Sequence, residues 1–365
     1  MCVFVCVCVC NAAAMGPLVR VALVVLGLVV TGLALAAVRG GGGAGRVRVV
    51  SDVGPYGHLE APAVVAPPPP PSPSPSPPPP AVLSLRIMTF NVRYEGEQDA
   101  GDRHWSARRG AVAAAIRGAD PDVACLQEAL FGQYEWVLVA LNAAAAAAGD
   151  AGGGPWRGVF VGRDNGARAG ESACILFRAS RVTLVSNRTF WLSDTPDAPG
   201  SVGRSWGNVL PRICTSAVFA VAGGPTAARV AVFNTHLDNL SKVARQRGLA
   251  LVMAALPPPG GARAVVCGDL NAVAGRETDT IAIATARLTD VVAAVGAGAN
   301  ITFPVYGTGA ERGRRIDFIL ASPGARIGRV AIDGAKYAGA SGAPVYPSDH
   351  FPVVASLEWD VDAPS

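Results

Sequence analysis

From residue 83 onward the chain alternates short apolar runs with stretches of helical spacing. Leu85, Ile87, Thr89 and Phe90 form an alternating run that stops at Asn91, which predicts an opening strand with Asn91 at its exit. Residues 105–117 place Trp105, Val112, Ala113 and Ile116 at helical spacing, and Asp120-Pro121 ends that helix. The continuous run Val123-Ala124-Cys125-Leu126 predicts a buried strand, with Glu128 directly after it. Residues 130–148 predict a second helix, broken at 152–155 ahead of a strand at 158–162. Runs at 173–177, 182–185, 189–192 and 213–221 read as antiparallel strands punctuated by Pro and Gly. A strand at 229–235 delivers His236, a helix at 240–256 ends in three prolines, and a strand at 264–267 delivers Asp269. Runs at 316–321 and 351–357 complete the set. Two halves of alternating strands and helices thus flank an antiparallel middle, a pattern that predicts an α/β fold of stacked sheets with helices outside.

The chain before residue 83 does not share this pattern. Residues 67–80 are almost entirely Pro and Ser, an extended and solvated spacer with no means of building a core. Residues 21–38 carry no charge and are flanked by Arg20 and by Arg39, Arg46 and Arg48, enough for a marginal membrane span or a targeting segment. The division expected is a targeting or membrane-anchor segment at 1–50, a Pro/Ser-rich linker at 51–82 and a monomeric catalytic domain at 83–360. Membrane contact would run through residues 18–38 if they are not cleaved. Ala34-Leu35-Ala36 is compatible with signal-peptidase cleavage, and the absence of acidic residues before Asp52 equally suits organelle import. Localisation is therefore expected at a membrane, in the secretory pathway or in an organelle. Sequons at Asn187, Asn239 and Asn300 are compatible with secretion.

Charge and cysteines narrow the picture little. The net charge of +4, from 31 basic and 27 acidic residues, does not define a polyanion-binding surface, because clustering matters more than the total. Arg312, Arg314 and Arg315 form the densest basic cluster, facing either a phosphate-rich substrate or solvent. Cys125, Cys174, Cys214 and Cys267 sit in apolar runs and read as small buried hydrophobes. Cys2, Cys6, Cys8 and Cys10 lack the paired spacing of a zinc site and suit lipidation or low complexity.

The polar residues at the strand exits carry the chemistry. Cleaving a phosphate ester requires neutralising phosphoryl charge, deprotonating water and protonating the leaving oxygen. Glu128, exposed just beyond a buried strand, is a candidate ligand for a hard cation, with Asn91 and Asp349 completing an oxygen-rich set. His350 is the candidate base, and Asp317, an acid inside the apolar run Ile316-Asp317-Phe318-Ile319, is its candidate orienting partner. Asp269 and Asn271, two apart at a strand exit, are expected to point to one side and to hold water and phosphate. His236 is a candidate phosphoryl-oxygen ligand oriented by Glu171.

These residues spell out a resemblance. Met88-Thr89-Phe90-Asn91-Val92-Arg93-Tyr94, Leu126-Gln127-Glu128, Asn234-Thr235-His236-Leu237-Asp238, Gly268-Asp269-Leu270-Asn271, Arg315-Ile316-Asp317-Phe318-Ile319 and Pro347-Ser348-Asp349-His350-Phe351-Pro352-Val353 resemble the endonuclease/exonuclease/phosphatase superfamily. The resemblance implies a four-layer α/β/β/α sandwich of the pancreatic-deoxyribonuclease type and phosphoesterase chemistry dependent on Mg²⁺, with Mn²⁺ as a substitute. It implies metal-site roles for Asn91, Glu128 and Asp349, a positioning pair in Asp269 and Asn271, a base and orienter in His350 and Asp317, and a Glu171–His236 pair. Arg212, in Leu210-Pro211-Arg212-Ile213, falls where relatives often clamp phosphate. Phe190-Trp191-Leu192-Ser193-Asp194-Thr195-Pro196 with Leu210-Pro211-Arg212 is similar to a little-characterised bacterial and plant-type branch. Gly313-Arg314-Arg315-Ile316-Asp317 departs from the Trp-Cys-Asp-Arg of inositol-polyphosphate phosphatases.

The function expected is phosphodiester hydrolysis on nucleic acid or nucleotide-type substrates. A sphingomyelinase-like lipid phosphodiesterase or a phosphomonoesterase is the alternative. A membrane-tethered scaffold with a retired site would have lost some of Asp269, Asn271, Asp349 and His350, and all four are present. Glu95, Glu97, Asp99 and Asp102 would repel a long nucleic-acid backbone if their loop lined the groove, which favours a short substrate.

Overall fold

A computed structural model describes residues 81–147, 149, 155–222, 228–258, 263–296, 301–306 and 313–361. The expected targeting segment, the N-terminal cysteines, nearly all of the expected linker, Asn300 and Arg312 lie outside those residues. Among the described residues, no helix is long and apolar enough to cross a membrane.

The predicted elements appear in the predicted order, joined by shorter ones at 278–294 and by strands at 326–345 that the sequence pattern did not single out. In the first half they are β1 (Ala81–Asn91), α1 (Trp105–Ala119), β2 (Val123–Ala129), α2 (Phe131–Ala147), β3 (Trp156–Val159), β4 (Ser172–Arg178) and β5 (Val182–Trp191). In the second half they are β6 (Ile213–Val221), β7 (Arg229–His236), α3 (Lys242–Ala254), β8 (Arg263–Asp269), α4 (Thr278–Thr285), β9 (Thr289–Asp290), α5 (Val291–Ala294), β10 (Asp317–Ala321), β11 (Arg326–Ile332), β12 (Tyr337–Ala338), β13 (Pro344–Val345) and β14 (Val353–Val361). The predicted strands at 182–185 and 189–192 are one strand, β5, with a register shift between Leu184 and Ser186. It lies at a sheet edge, where the polar run Ser186-Asn187-Arg188 can face water and still pair on one side.

Two six-stranded sheets form, in the orders β11-β14-β1-β2-β4-β3 and β5-β6-β7-β8-β10-β9. In each, one central pair is parallel, β1 with β2 and β7 with β8, joined through α1 and α3 respectively; the other pairings are antiparallel. Central strands are buried on both faces, which is why their sequences read as near-continuous apolar runs. Leu83, Leu85 and Ile87 of β1, Val123 and Cys125 of β2, Val230 and Val232 of β7, and Val265 and Cys267 of β8 meet in the layer between the sheets. Their alternates face outward. Met88, Phe90, Ala124 and Leu126 pack on α1 and α2, whereas Ala231, Phe233, Ala264 and Val266 pack on α3 and α4. The result is an α/β/β/α sandwich. Cys125, Cys174, Cys214 and Cys267 are buried free thiols.

Local chemistry ends the helices where it was expected to. His104 caps α1 by accepting from the Ser106 amide, and Asp120 closes it in the left-handed region at φ 47°. Ser241 caps α3 by accepting from the Ala244 amide at 3.1 Å.

One buried polar cluster couples the sheets. Asn234 on β7 donates to the carbonyls of Leu126 and Cys174, both at 2.8 Å, and accepts from Gln127 Nε2 at 2.7 Å. Replacing Asn234 by Ala removes the side-chain donors to two buried carbonyls and one of the acceptors of Gln127 Nε2 at zero exposure, so Asn234→Ala should lower the unfolding free energy by about 3 kcal/mol in denaturant titration. A loss under about 1 kcal/mol would remove this cluster from the account of sheet pairing. Gly268 of β8, at φ 148°, lies so close to β7 that a Cβ would overlap the Thr235 carbonyl oxygen. Gly268→Ala should therefore destabilise the protein and displace the adjacent Asp269, read as a lower melting temperature together with lost activity.

Candidate active site

The parallel pairs aim their C-termini at the same end of the sandwich. Asn91 lies opposite Gln127, one residue before Glu128, in one sheet, and His236 opposite Asp269 in the other. β10 runs antiparallel to β8, so its first residue, Asp317, pairs with Asp269. β14 likewise runs antiparallel to β1, which brings the preceding Ser348-Asp349-His350 segment to the same end. These strand ends border a cleft of about 340 Å³ lined by Glu128, Glu171, Arg212, His236, Asp269, Asn271, Asp349 and His350. Eight of the ten residues singled out in the sequence line it, and the other two, Asn91 and Asp317, support it from behind through hydrogen bonds to Glu128, Asp269 and His350.

Asp269 is the centre of the arrangement. Its Oδ1 accepts from the Asn271 amide at 2.9 Å and its Oδ2 from Asn91 Nδ2 at 3.1 Å. The same Oδ2 lies 3.5 Å from His236 Nε2 and 3.7 Å from His350 Nε2. Burial, and then the charge of Asp317, push the Asp269 carboxyl well up.

His350 Nδ1 meets Asp317 Oδ2 at 2.9 Å, and its ring lies 4.6 Å from that of Phe303. Burial works against the imidazolium, but Asp317 first, with Asp269 and Asp349, outweighs it and lifts His350 to about 10. Thr302 fixes the base of Asp317 by accepting from the amides of residues 316 and 317 at 3.1 and 3.2 Å. Ser348 donates to the Asn91 carbonyl at 2.7 Å and accepts from the His350 amide at 3.2 Å. The buried Arg108 ties the two loops together through the carbonyls of Val92 and Pro347.

Three expectations change in detail. Asn91 presents its amide nitrogen, not an oxygen, to Glu128 (2.9 Å) and Asp269, while its oxygen accepts from the Arg93 amide. It bridges two carboxylates that would otherwise repel. Glu171 does not hydrogen-bond His236: both its oxygens are gripped at 2.8 Å by Arg163, and its nearest approach to His236 Nδ1 is 3.9 Å. That contact is not an ion pair, because burial, then Arg212 and Arg163, hold His236 in its neutral form. Asn271 reaches the side of Asp269 by a left-handed turn at φ 49°, not by strand alternation, since β8 ends at Asp269.

Glu128 owes its position to a similar device. The β2–β4 register shifts between Leu126 and Ala129, and Glu128 takes φ 62°, which turns its carboxylate toward the Tyr94 amide at 3.1 Å and the cleft. Asp349 faces the same cleft. Burial raises its carboxyl pKa, with Glu128 adding to the effect. Two neighbouring oxygen donors that repel each other are a donor set for a hard divalent cation. Among the described residues Asp269, Asp317 and His350 also bring ligand atoms within 4.8 Å of one another, but the Asp317–His350 hydrogen bond occupies two of them.

Arg212 is buried and donates to Asn239 Oδ1 at 3.0 Å; its Nε, 3.9 Å from Asp238 Oδ2, and its Nη1 make no hydrogen bond. Arg93, Tyr94, Arg163, Asn239 and Phe303 also line the cleft and were not singled out. Arg93 and Tyr94 lie within the motif that begins at Met88, a usable signal. Arg163 and Phe303 arrive from distant segments and had none.

Comparison with known proteins places this geometry. The model of the Endonuclease/Exonuclease/phosphatase family matches residues 88–350. The sequence finds no match among curated proteins. Among solved structures, an endonuclease/exonuclease/phosphatase from Bacteroides vulgatus is 29% identical over 76% of this chain and 100% of its own, with a TM-score of 0.64. The mannosyl-6-phosphatase Bt3783 of Bacteroides thetaiotaomicron is 29% identical over 75% of this chain and 99% of its own, with a TM-score of 0.63. TDP2 of D. rerio, solved with a single-strand DNA product, is 18% identical over 75% of this chain and 98% of its own, at a TM-score of 0.54, and shares the fold. With its family motifs spread over both sheets and gathered at one cleft, the chain belongs to the endonuclease/exonuclease/phosphatase family.

Proposed function

We propose that the protein is a divalent-metal-dependent hydrolase that cleaves a phosphate ester by in-line attack of water. The observation that carries this reading is the Asp269 carboxylate, poised within 3.7 Å of two imidazoles and fixed by Asn91 and Asn271. Glu128 and Asp349 would hold the cation, Mg²⁺ or Mn²⁺, with Asn91 positioning Glu128. A cation there supplies charge neutralisation for the phosphoryl oxygens and offsets the carboxylates that hold the His350 proton. Asp269 and His350 Nε2 form the proton-accepting pair, with Asp317 fixing the ring through Nδ1. Arg212, with two buried nitrogens that make no hydrogen bond, and His236 face the phosphoryl group, and Asn271 positions it. Arg163 holds Glu171 beside them.

Within this class we favour small phosphate esters, monoesters included, over long nucleic acid. The 29%-identical mannosyl-6-phosphatase supports this, as does the loop after β1, where Glu95, Glu97 and Asp102 are exposed next to the cleft residue Tyr94. Residues 1–50 and 51–82 we propose as anchor or leader and spacer, from sequence alone.

A panel of sugar 6-phosphates, nucleotides, a synthetic diester and DNA, assayed with Mg²⁺, Mn²⁺ or chelator, tests the proposal. Hydrolysis of at least one ester is expected, abolished by chelation and reduced about 10²- to 10⁴-fold by His350→Ala or Asp269→Asn. Undiminished turnover in Asp269→Asn would sink the mechanism. Arg212→Met should raise KM about tenfold or more, with the larger part of its effect on binding.

A further inference from the structure

The rim of the cleft carries an apolar surface that the chemistry above does not use. Among the described residues, Val209, Leu210, Leu240 and Val243 are 63, 47, 70 and 50% exposed; the first two belong to the loop before β6, Leu240 to the loop after β7, and Val243 to the first turn of α3 that this second loop enters. The loops are neighbours: Arg212 donates to Asn239 at 3.0 Å, Asn208 to Asp238 at 3.4 Å, and Ser241 Oγ to the Trp206 carbonyl at 2.6 Å. Large exposed aliphatics elsewhere are scattered over β1, α2, β5 and the loops after α5 and before β10. Here they are concentrated, and a concentrated exposed apolar surface marks a contact site.

The patch is continuous with the cleft. Leu210 and Asn239 line the cleft wall beside Arg212, whose free Nη1 is an anion donor. Resting on the phosphoesterase reading of that cleft, we propose that the substrate is an amphiphilic phosphate ester, whose phosphate enters at Arg212 and whose apolar chain lies across Val209, Leu210, Leu240 and Val243. Charge and apolar surface then follow each other in the order in which such a molecule presents them. Hydrophilic sugar phosphates leave this surface wet and are the poorer ligands.

Binding of n-alkylphosphonates from ethyl to octyl, measured by calorimetry on the full chain with Mg²⁺, tests this apart from turnover. Full burial of a methylene is worth about fourfold in affinity, and a one-sided contact about twofold, so Kd should fall about twofold per added carbon. Val209→Ser with Leu240→Ser should flatten that slope at an unchanged melting temperature, while Val139→Ser, an exposed valine on α2, should preserve it. A flat slope in the wild type, or the same slope in the double variant, overturns the proposal. A flat slope combined with Leu240-dependent adsorption to phosphatidylcholine vesicles, or with Leu240-dependent dimerisation, overturns it in favour of a membrane surface or a second copy. Hydrolysis of n-alkyl phosphates separates the two readings: chain-length-dependent binding without metal-dependent turnover retains this surface and removes the catalytic assignment.

Discussion

The two-residue period of the strands is the constraint on which the rest depends. In the central strands, side chains facing the layer between the sheets recur at every second position, and the series does not stop where the apolar core stops. On β8 it runs Val265, Cys267, Asp269; on β7, Val230, Val232, Asn234, His236; on β10, Ala321, Ile319, Asp317. On β1 and β2 it passes through Ile87, Thr89 and Asn91, and through Val123, Cys125 and Gln127. The layer is therefore apolar at one end and polar at the other. Packing of the apolar end holds the polar end in register, so a one-residue slip of any of these strands would send its functional side chain to the outer face.

This explains what could be read from the sequence. The strand exits at Asn91, Glu128, His236 and Asp269 were legible because a buried apolar run immediately precedes each of them, and Asp317 because an acid begins such a run. The His350–Asp317 pairing followed from the cost of leaving that acid alone. Other features depended on tertiary placement. The grip of Arg163 on Glu171 joins a loop to a strand exit and had no local signal. Asn91 looked like an oxygen ligand because its residue type allows it, whereas its neighbours, two carboxylates, select its nitrogen. The split of β5 into two predicted strands arose because an edge strand tolerates polar residues that a central one would not. β11, mostly exposed along its length, lacked the apolar run by which the central strands were recognised.

Backbone strain recurs where the chemistry is. Of the non-glycine residues at positive φ, Arg93, Glu128 and Asn271 line the cleft. Each conformation costs of order 1 kcal/mol or more and persists because the surroundings hold it: Arg108 and Asn91 at Arg93, the register shift at Glu128, and the Leu237 carbonyl at Asn271. The strained turns re-aim side chains that regular strands would have pointed elsewhere.

Electrostatics imposes the same bargain in another form. Burial disfavours the ionised forms of Asp269, Glu171 and Asp349, and carboxylate neighbours add to the cost at each. Arginines at 93, 163 and 212 offset part of this, yet Arg212 is itself so buried that its charged form is disfavoured. A core filled with apolar residues at these positions would be more stable. The sandwich can carry such a site because the unfavourable groups sit only at the mouth of the inter-sheet layer, while the apolar side chains behind them bury on both faces of both sheets. The cost is met by the length of the strands beyond the site, and the cleft keeps a charge pattern suited to binding a cation and a phosphoryl group together.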